Sequence, residues 1–478
     1  MAFNAMPERL NNGRTWIYAV IIFFVFLSAM MVRSSLILRD GDTFWHLVVG
    51  EHIFRTHSFP VVDEYSYTRA GVPWIAKEWL SQVILYLTYS WAGWRGLALF
   101  TATIAALSDS ILFAWLCRRV QPIVALTMTA VTVSLGMGSL LARPQIFFYL
   151  LLTLCACGLV GAVEKKTTPW WLVLLAAIWA NLHASFPIAL VLGALFSLEA
   201  VAFAARGERV RTGVKWALVL VTAVAATGAT PYGYRPLLVS LNLVGSKEIS
   251  AIDEWQPLRF DLVGVYGVTV IAGSLALLAA ARAGWTRAAP LVLCGALMIR
   301  HVRFFALFPL VAAPVLATPL ARRFPRFARR PSAPLLGTTK AATTALAATC
   351  LATALVLSFA PKPVPAPRMA PSAALDAAER LHLTGPVFND YSFGGFLIFK
   401  GIKPFIDSRA ELYLGGLFER TREAELGESS AAFLSLLDEY HVTWALLAHD
   451  SEGAKKLRSS KEWIEEYEDD TARVFVRK

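Results

Sequence analysis

Long apolar runs recur along this chain of 478 residues and constrain its fold more than any other feature. A helix needs about 20 mostly apolar residues to cross the hydrocarbon core of a bilayer. Runs of this length or somewhat shorter lie at 15–38, 97–117, 121–140, 145–163, 170–185, 186–205, 213–229, 262–281, 288–300, 303–320 and 340–360. Because lipid offers loose backbone no hydrogen-bond partner, they predict an all-α polytopic membrane bundle of about 11 transmembrane helices.

Basic residues lie in short loops between alternate runs, and the net charge of the chain is +11. Cytoplasmic loops of membrane proteins carry an excess of Lys and Arg. Placing all the basic loops in the cytoplasm gives a consistent topology, with the N-terminus inside and the C-terminal region outside. We therefore predict a multi-pass protein of the inner (plasma) membrane, and its positive charge needs no nucleic-acid partner to explain it.

Residues 79–94 test this topology, because they are apolar enough to insert into a bilayer. If they formed a full span, every later loop would be inverted and the basic loops would lie outside. We therefore predict an interfacial or re-entrant helix within a first extracytoplasmic loop at 39–96. Five aromatic residues of this segment suit the headgroup region, namely Trp79, Tyr86, Tyr89, Trp91 and Trp94.

The composition changes after residue 360, where the predicted transmembrane domain 1–360 ends. Residues 361–371, PKPVPAPRMAP, are typical of an extended proline-rich linker. Residues 372–478 predict a small soluble α/β domain, which the topology places outside the cytoplasm. We expect a helix at 430–440 and short strands at 387–389, 396–399, 404–406, 444–447 and 473–476.

Two carboxylates follow the first apolar run directly, at Asp40 and Asp42 in RDGDTFWH. Acidic side chains at a membrane boundary cost free energy unless they are ion-paired or have a function. Burial would raise their pKa toward a value that suits a general base. If a helix begins after Asp42, His46 lies one turn further on the same face. Three interpretations stay open: a general base acting on an acceptor hydroxyl, a divalent metal site of Asp42, His46 and another acid, or helix capping by Asp42.

Further candidate residues fall on the same predicted face of the membrane. Arg143, Arg300 and Arg303 lie at the ends of apolar runs, where guanidinium groups match phosphate oxygens or reach acidic lipid. The other candidate substrate-binding residues are His46, Asp63, Glu64, Glu78, His183, Glu254 and Trp255. Their convergence on one face indicates a site there.

Several segments occur in a characteristic order: DGDTFWHLVVGEHI, FPVVDEYSYTRAGVPWIAKEWL, LLARPQIFFYLLL, WANLHASFP, TPYGYRPL, IDEWQP and VFNDYSFGGFLIFKGIKPFIDSRAELY. Together they resemble the bacterial GT-C glycosyltransferases, near the protein mannosyltransferase-like and aminoarabinose transferase-like enzymes, in a subgroup with a C-terminal extracytoplasmic domain. The resemblance implies transfer of a sugar from a polyprenyl-phosphate donor to a glycan, lipid or protein acceptor. It also implies that a first-loop aspartate is catalytic, which here is Asp42 or Asp40.

Two other functions are compatible with the sequence. A transporter or flippase of a lipid-linked saccharide would favour an internal repeat and polar residues at the bilayer midplane. The sequence shows no such repeat, and its polar cluster lies at one face. A non-catalytic envelope protein that binds glycan or lipid would keep the same fold.

Overall fold

The computed structural model describes residues 12–245, 255–258, 285–329, 339–413 and 416–478. The predicted span at 262–281 and the candidate residue Glu254 lie outside these residues. The first twelve described helices are α1 (Asn12–Val32), α2 (Asp42–Thr56), α3 (Trp79–Leu116), α4 (Pro122–Gly136), α5 (Gln145–Lys165), α6 (Trp171–Leu182), α7 (Pro187–Phe203), α8 (Arg209–Ala226), α9 (Arg235–Gly245), α10 (Trp285–Arg300), α11 (Leu307–Arg323) and α12 (Thr339–Phe359).

Within the described ranges, six helical segments are long and apolar enough to cross a membrane, and they correspond to α1, α3, α4, α5, α11 and α12. The helices α6 and α7 are apolar but shorter. The mostly helical, membrane-spanning class is thus confirmed. The predicted number of about 11 transmembrane helices is not confirmed by these six.

The helix α3 is 38 residues long. A straight helix of this length would extend about 57 Å, nearly twice the thickness of a hydrocarbon core. Gly93 interrupts it with φ 58° and ψ −157°, a backbone conformation that glycine adopts without a steric cost. The segment before Gly93 is therefore helical and separate from the segment after it, while its interfacial position stays a prediction.

The helical bundle is built around α5. This helix packs against α3, α7 and α11, and most of its residues are buried. A helix that is apolar on all sides is buried in a protein core or in lipid, and here neighbouring protein covers most of α5. The helix α1 packs against both α3 and α12, so the N-terminal and C-terminal ends of the bundle lie side by side.

The C-terminal domain is a small sheet covered by helices. Its elements are α13 (Ser372–Arg380), β1 (Val387–Asn389), α14 (Gly394–Phe399), α15 (Leu417–Leu426), α16 (Ser430–Glu439), β2 (Trp444–Ala448), α17 (Glu452–Ser459), β3 (Trp463–Glu468) and β4 (Ala472–Arg477). In the described residues the strand order is β1-β2-β4-β3, with β1 parallel to β2 and the other two pairs antiparallel.

Two of the predicted strands are wrong. Phe396–Phe399 belongs to the helix α14, and Pro404–Ile406 is irregular within the described part of the chain. A short buried apolar run does not by itself distinguish a strand from a helix. The helix is favoured here by its packing on α2, where a Cβ at Gly395 would lie only 2.3 Å from the carbonyl oxygen of Gly41.

The C-terminal domain shares a hydrophobic core with the first loop. Trp45, Val49 and Trp74 of the loop are buried together with Phe388 and Phe405 of the domain. The proline-rich segment between the bundle and the domain is also held by a hydrogen bond, in which the backbone N–H of Ala366 donates to the carbonyl oxygen of Leu38 at 3.1 Å. The domain and the first loop are therefore packed as one folded unit.

Candidate functional site

The acid pair lies at the start of α2, whose first residue is Asp42. The backbone N–H of Asp42 donates to Oδ1 of Asp40 at 2.8 Å, so Asp40 satisfies one of the open donors of the first turn. Capping by Asp42, one of the three interpretations, is not what the structure shows. The Asp42 carboxylate lies instead at the wall of a cavity.

Arg143 joins the two aspartates. Its Nη1 lies 2.9 Å from Oδ2 of Asp40 and 2.9 Å from Oδ2 of Asp42. Its Nε and Nη2 donate to Oε1 of Gln145 at 3.1 and 2.8 Å, which fixes the plane of the guanidinium. Arg143 therefore holds the two carboxylates together in a largely buried place.

His46 lies one turn beyond Asp42, as expected from the spacing. The imidazole is buried, its centroid lies 3.6 Å from that of Trp45, and Nδ1 lies 3.1 Å from Nε2 of Gln82. Burial, and secondarily the charge of Arg143, lowers the pKa of His46 well below its ordinary value. His46 is therefore neutral near pH 7 and acts as a hydrogen-bonding group rather than as a cation.

Glu78 and His183 meet at the same cavity. His183 lies just beyond the end of α6, with Nε2 at 3.6 Å from Oε1 of Glu78 and Nδ1 at 2.7 Å from Oγ of Ser185. Burial lowers the pKa of His183 to about 4, against the opposing charge of Glu78. Near pH 7 the imidazole of His183 is therefore neutral, and its contact with Glu78 is polar rather than ionic.

Trp255 and Arg303 also line the cavity. The guanidinium carbon of Arg303 lies 5.2 Å from the centroid of the Trp255 ring, within cation–π range. Nδ1 of His301 lies 2.6 Å from the carbonyl oxygen of Trp255 and holds this segment against the start of α11. Stacking on Trp255 therefore places a second arginine at the cavity.

Two chambers meet at the acid pair. The apolar chamber has a volume of about 370 Å³ and reaches between α7, α9, α10 and α11, where Ile188, Val191, Leu241, Leu293, Leu297 and Leu307 line it. The polar chamber has a volume of about 710 Å³ and opens toward the C-terminal domain. Residues that line both chambers form the junction, and they are Asp42, Arg143, Trp255, Arg303, Ser408 and Ala410.

Three other predicted site residues lie away from the junction in the described part of the chain. Asp63 is fully buried, with Oδ1 at 2.5 Å from Nη1 of Arg409, and it therefore ties the first loop to the C-terminal domain. Glu64 and Arg300 are exposed, and neither is among the residues that line the two chambers.

The C-terminal segment 408–411 also lines the apolar chamber. Lys77 forms an ion pair with Glu411, and Nε1 of Trp74 donates to Oε1 of Glu411 at 3.3 Å. Burial by itself raises the pKa of Glu411. The Lys77 ammonium outweighs this effect and holds the pKa below its ordinary value. The density of polar residues in IDSRAELY was a signal, but a linear pattern does not show which loop they contact.

The divalent metal alternative lacks a suitable donor set in the part of the chain that the structure describes. No group of three or more His, Cys, Asp and Glu residues is placed there to hold a metal ion. The position between Asp40 and Asp42 is taken by the Arg143 guanidinium.

Comparison of the sequence with protein-family models and with curated proteins finds no match. Solved structures do match. The oligosaccharyltransferase AglB from Archaeoglobus fulgidus, in complex with an inhibitory peptide and a dolichol-phosphate, is 10% identical with a TM-score of 0.51, over 91% of this chain and 69% of that one. ArnT from Cupriavidus metallidurans in the apo state is 14% identical with a TM-score of 0.51, over 95% of this chain and 97% of that one. Both are GT-C glycosyltransferases, so the predicted resemblance is confirmed at the level of structure, and this chain has the GT-C fold.

Proposed function

We propose that the protein is a membrane glycosyltransferase that moves a sugar from a polyprenyl-phosphate donor to an acceptor on the extracytoplasmic side. One observation carries this proposal: an apolar chamber and a polar chamber meet at a junction of carboxylate and guanidinium groups. A polyprenyl chain needs apolar walls, its phosphate needs cations, and a sugar acceptor needs a polar space. The path from the apolar chamber through the junction to the polar chamber offers these three environments in that order.

The arginines suit a phosphate at the junction. Arg143 and Arg303 line both chambers, and guanidinium groups match phosphate oxygens in geometry and charge. The solved complex of AglB contains a dolichol-phosphate, which supports a lipid-linked donor for a chain of this fold. Lys77 also lines the apolar chamber and adds a third cation.

We assign the general base to Asp42, because it lines both chambers whereas Asp40 lines the polar one. The acceptor hydroxyl gives its proton to the Asp42 carboxylate as its oxygen bonds to the anomeric carbon of the donor. The bond from that carbon to the phosphate oxygen breaks, and its electron pair leaves with the polyprenyl phosphate. Arg143 and Arg303 stabilise the departing phosphate, while Asp40 stabilises the cation-like sugar.

Transfer assays with the full chain test this proposal. Purified protein is incubated with radiolabelled polyprenyl-phosphate sugars and membrane acceptors. We expect Asp42→Asn to lower the rate of sugar transfer about 100-fold or more, which is typical for removal of a general base. Glu64→Gln, which changes an exposed acid of the same loop, is the matched control and should keep full activity. If the wild type transfers no label from any donor, the glycosyltransferase proposal is refuted. Full activity of Asp42→Asn would refute the base assignment alone.

Two further measurements address sidedness and transport. A reporter fused after residue 368 should be extracytoplasmic, and a cytoplasmic signal would contradict the proposed topology. A flippase would move labelled donor between leaflets of a vesicle without cleaving the sugar–phosphate bond. Release of free polyprenyl phosphate in step with label transfer distinguishes the enzyme from such a transporter.

A further inference from the structure

The polar chamber is larger than a proton transfer and a phosphate require. Its volume of about 710 Å³ extends from the acid pair to the C-terminal domain, where Tyr391, Ser392, Thr421 and Glu425 line it. We propose that this chamber is the acceptor site and that it takes a neutral, hydroxyl-rich acceptor, namely a saccharide. The inference rests on the proposed function, whose acceptor it specifies.

Thr421, one of the lining residues, carries an unsatisfied hydroxyl that is itself closed off from solvent. It lies on α15, its side chain is 6% exposed, and it lines the chamber. Its hydroxyl has no hydrogen-bond partner among the described residues. Buried hydroxyls are usually paired, because an unpaired one forfeits its hydrogen bonds to water. A hydroxyl group of a bound acceptor would supply the missing partner after rotation of the Thr421 side chain about its Cα–Cβ bond.

The charges around the chamber favour a neutral ligand. Described lining residues include four arginines and five acids, namely Arg39, Arg143, Arg303 and Arg422 with Asp40, Asp42, Glu425, Asp450 and Glu452. A polyanion would need an excess of cations, and a polycation would need an excess of acids. The near balance of the two suits a ligand that is recognised through its hydroxyl groups.

The remaining wall has the mixed character of a saccharide site. The rings of Tyr391 and Phe418 pack edge to face with their centroids 5.3 Å apart, which gives a rigid aromatic surface. Burial, and secondarily the charge of Asp390, raises the pKa of Glu425 to about 7. Glu425 can therefore donate or accept a hydrogen bond near pH 7, as hydroxyl groups of a sugar require.

Binding to the full chain in lipid nanodiscs tests the inference. The probes are a panel of neutral tri- and tetrasaccharides, a neutral heptapeptide, a phosphorylated trisaccharide and polyprenyl phosphate. We expect a neutral oligosaccharide to bind and Thr421→Val to weaken its binding about three- to tenfold, the loss of one neutral hydrogen bond. Thr421→Ser should keep the affinity. The matched control is Thr129→Val on α4, which also removes a buried hydroxyl without a described partner but lies outside the lining of the chamber.

Polyprenyl phosphate separates this inference from the proposed function. Its affinity should be unchanged in Thr421→Val, because Thr421 lies outside the junction. If polyprenyl phosphate binds but no neutral oligosaccharide does, the acceptor inference is overturned and the function stands. Preferred binding of the peptide or the phosphorylated sugar would overturn the acceptor class. Equal oligosaccharide affinity in the wild type and Thr421→Val would overturn the site. If the protein binds neither lipid nor saccharide, the proposed function fails as well.

Discussion

Removing the guanidinium of Arg409 should loosen the C-terminal domain from the first loop. Arg409 is 1% exposed, and its Nη1 contacts Asp63 of the loop at 2.5 Å. Its Nε and Nη2 contact the two carboxylate oxygens of Asp407 at 2.8 and 2.6 Å. Arg409→Met keeps much of the side-chain volume but leaves two buried carboxylates without their cation.

The magnitude follows from the burial of this cluster. Removing one partner of a buried ion pair costs about 3–5 kcal/mol, because the remaining charge stays desolvated. For a folded unit of 150–250 residues, each kcal/mol shifts the unfolding midpoint by about 2–4 °C. We therefore expect Arg409→Met to lower the midpoint by about 6–20 °C.

Thermal unfolding in detergent measures this shift through tryptophan fluorescence, since Trp45 and Trp74 lie in the shared core. The matched control is Arg420→Met, whose ion pair with Glu439 is about half exposed, so its loss should shift the midpoint much less. Equal midpoints for the two variants would refute the view that the buried cluster holds the domain on the loop.

Three further perturbations probe the site and its supports. A Cβ at Gly395 would lie 2.3 Å from the carbonyl oxygen of Gly41, so Gly395→Val should expose the interface to limited proteolysis. Glu411→Gln removes the ionic partner of Lys77, and in transfer kinetics we expect KM for the donor to rise severalfold with kcat little changed. Burial lowers the pKa of His46, so the unfolded chain binds more protons below about pH 6.5 than the folded chain does. Stability should therefore fall as the pH drops below this value, and His46→Gln should flatten the dependence in thermal unfolding.

Each of these three has a control or a contrary outcome. A Cβ at Gly207 meets no atom within 4 Å, so Gly207→Ala should leave the proteolysis pattern unchanged. Glu411→Asp should restore much of the donor affinity, whereas a fall in kcat alone would contradict a role through Lys77. An unchanged pH dependence in His46→Gln would show that other groups govern acid sensitivity.

The sequence was informative where a single hydrophobic pattern or a single helix boundary determines the structure. Apolar runs predicted the helical bundle, and the spacing after Asp42 placed His46 on the same helix. The sequence was much less informative about contacts between distant segments. Asp63 pairs with Arg409 across a separation of 346 residues, and neither local pattern indicates the partner. Only long-range packing shows that Asp63 supports the fold whereas Asp42 lies at the junction.

The strand β3 of the C-terminal domain was not predicted from the sequence, for a similar reason. The run at Trp463–Glu468 is rich in acids, yet it forms the edge strand β3 beside β4. Acidic residues are unfavourable in a central strand but are tolerated at an edge, where one face and one side meet water. Whether a strand lies at the edge or in the centre of its sheet depends on the tertiary fold, and the residues of the run do not indicate it.

The shared core of the first loop and the C-terminal domain also governs when the site can assemble. Chain synthesis at about 5–20 residues per second separates the appearance of Asp63 and Arg409 by about 17–70 s. During that interval Trp45 and Trp74 lack the apolar partners that bury them in the finished chain. The nascent bundle therefore carries its acid pair before the second half of the polar chamber exists, and the site is complete only after the C-terminal domain has been synthesised.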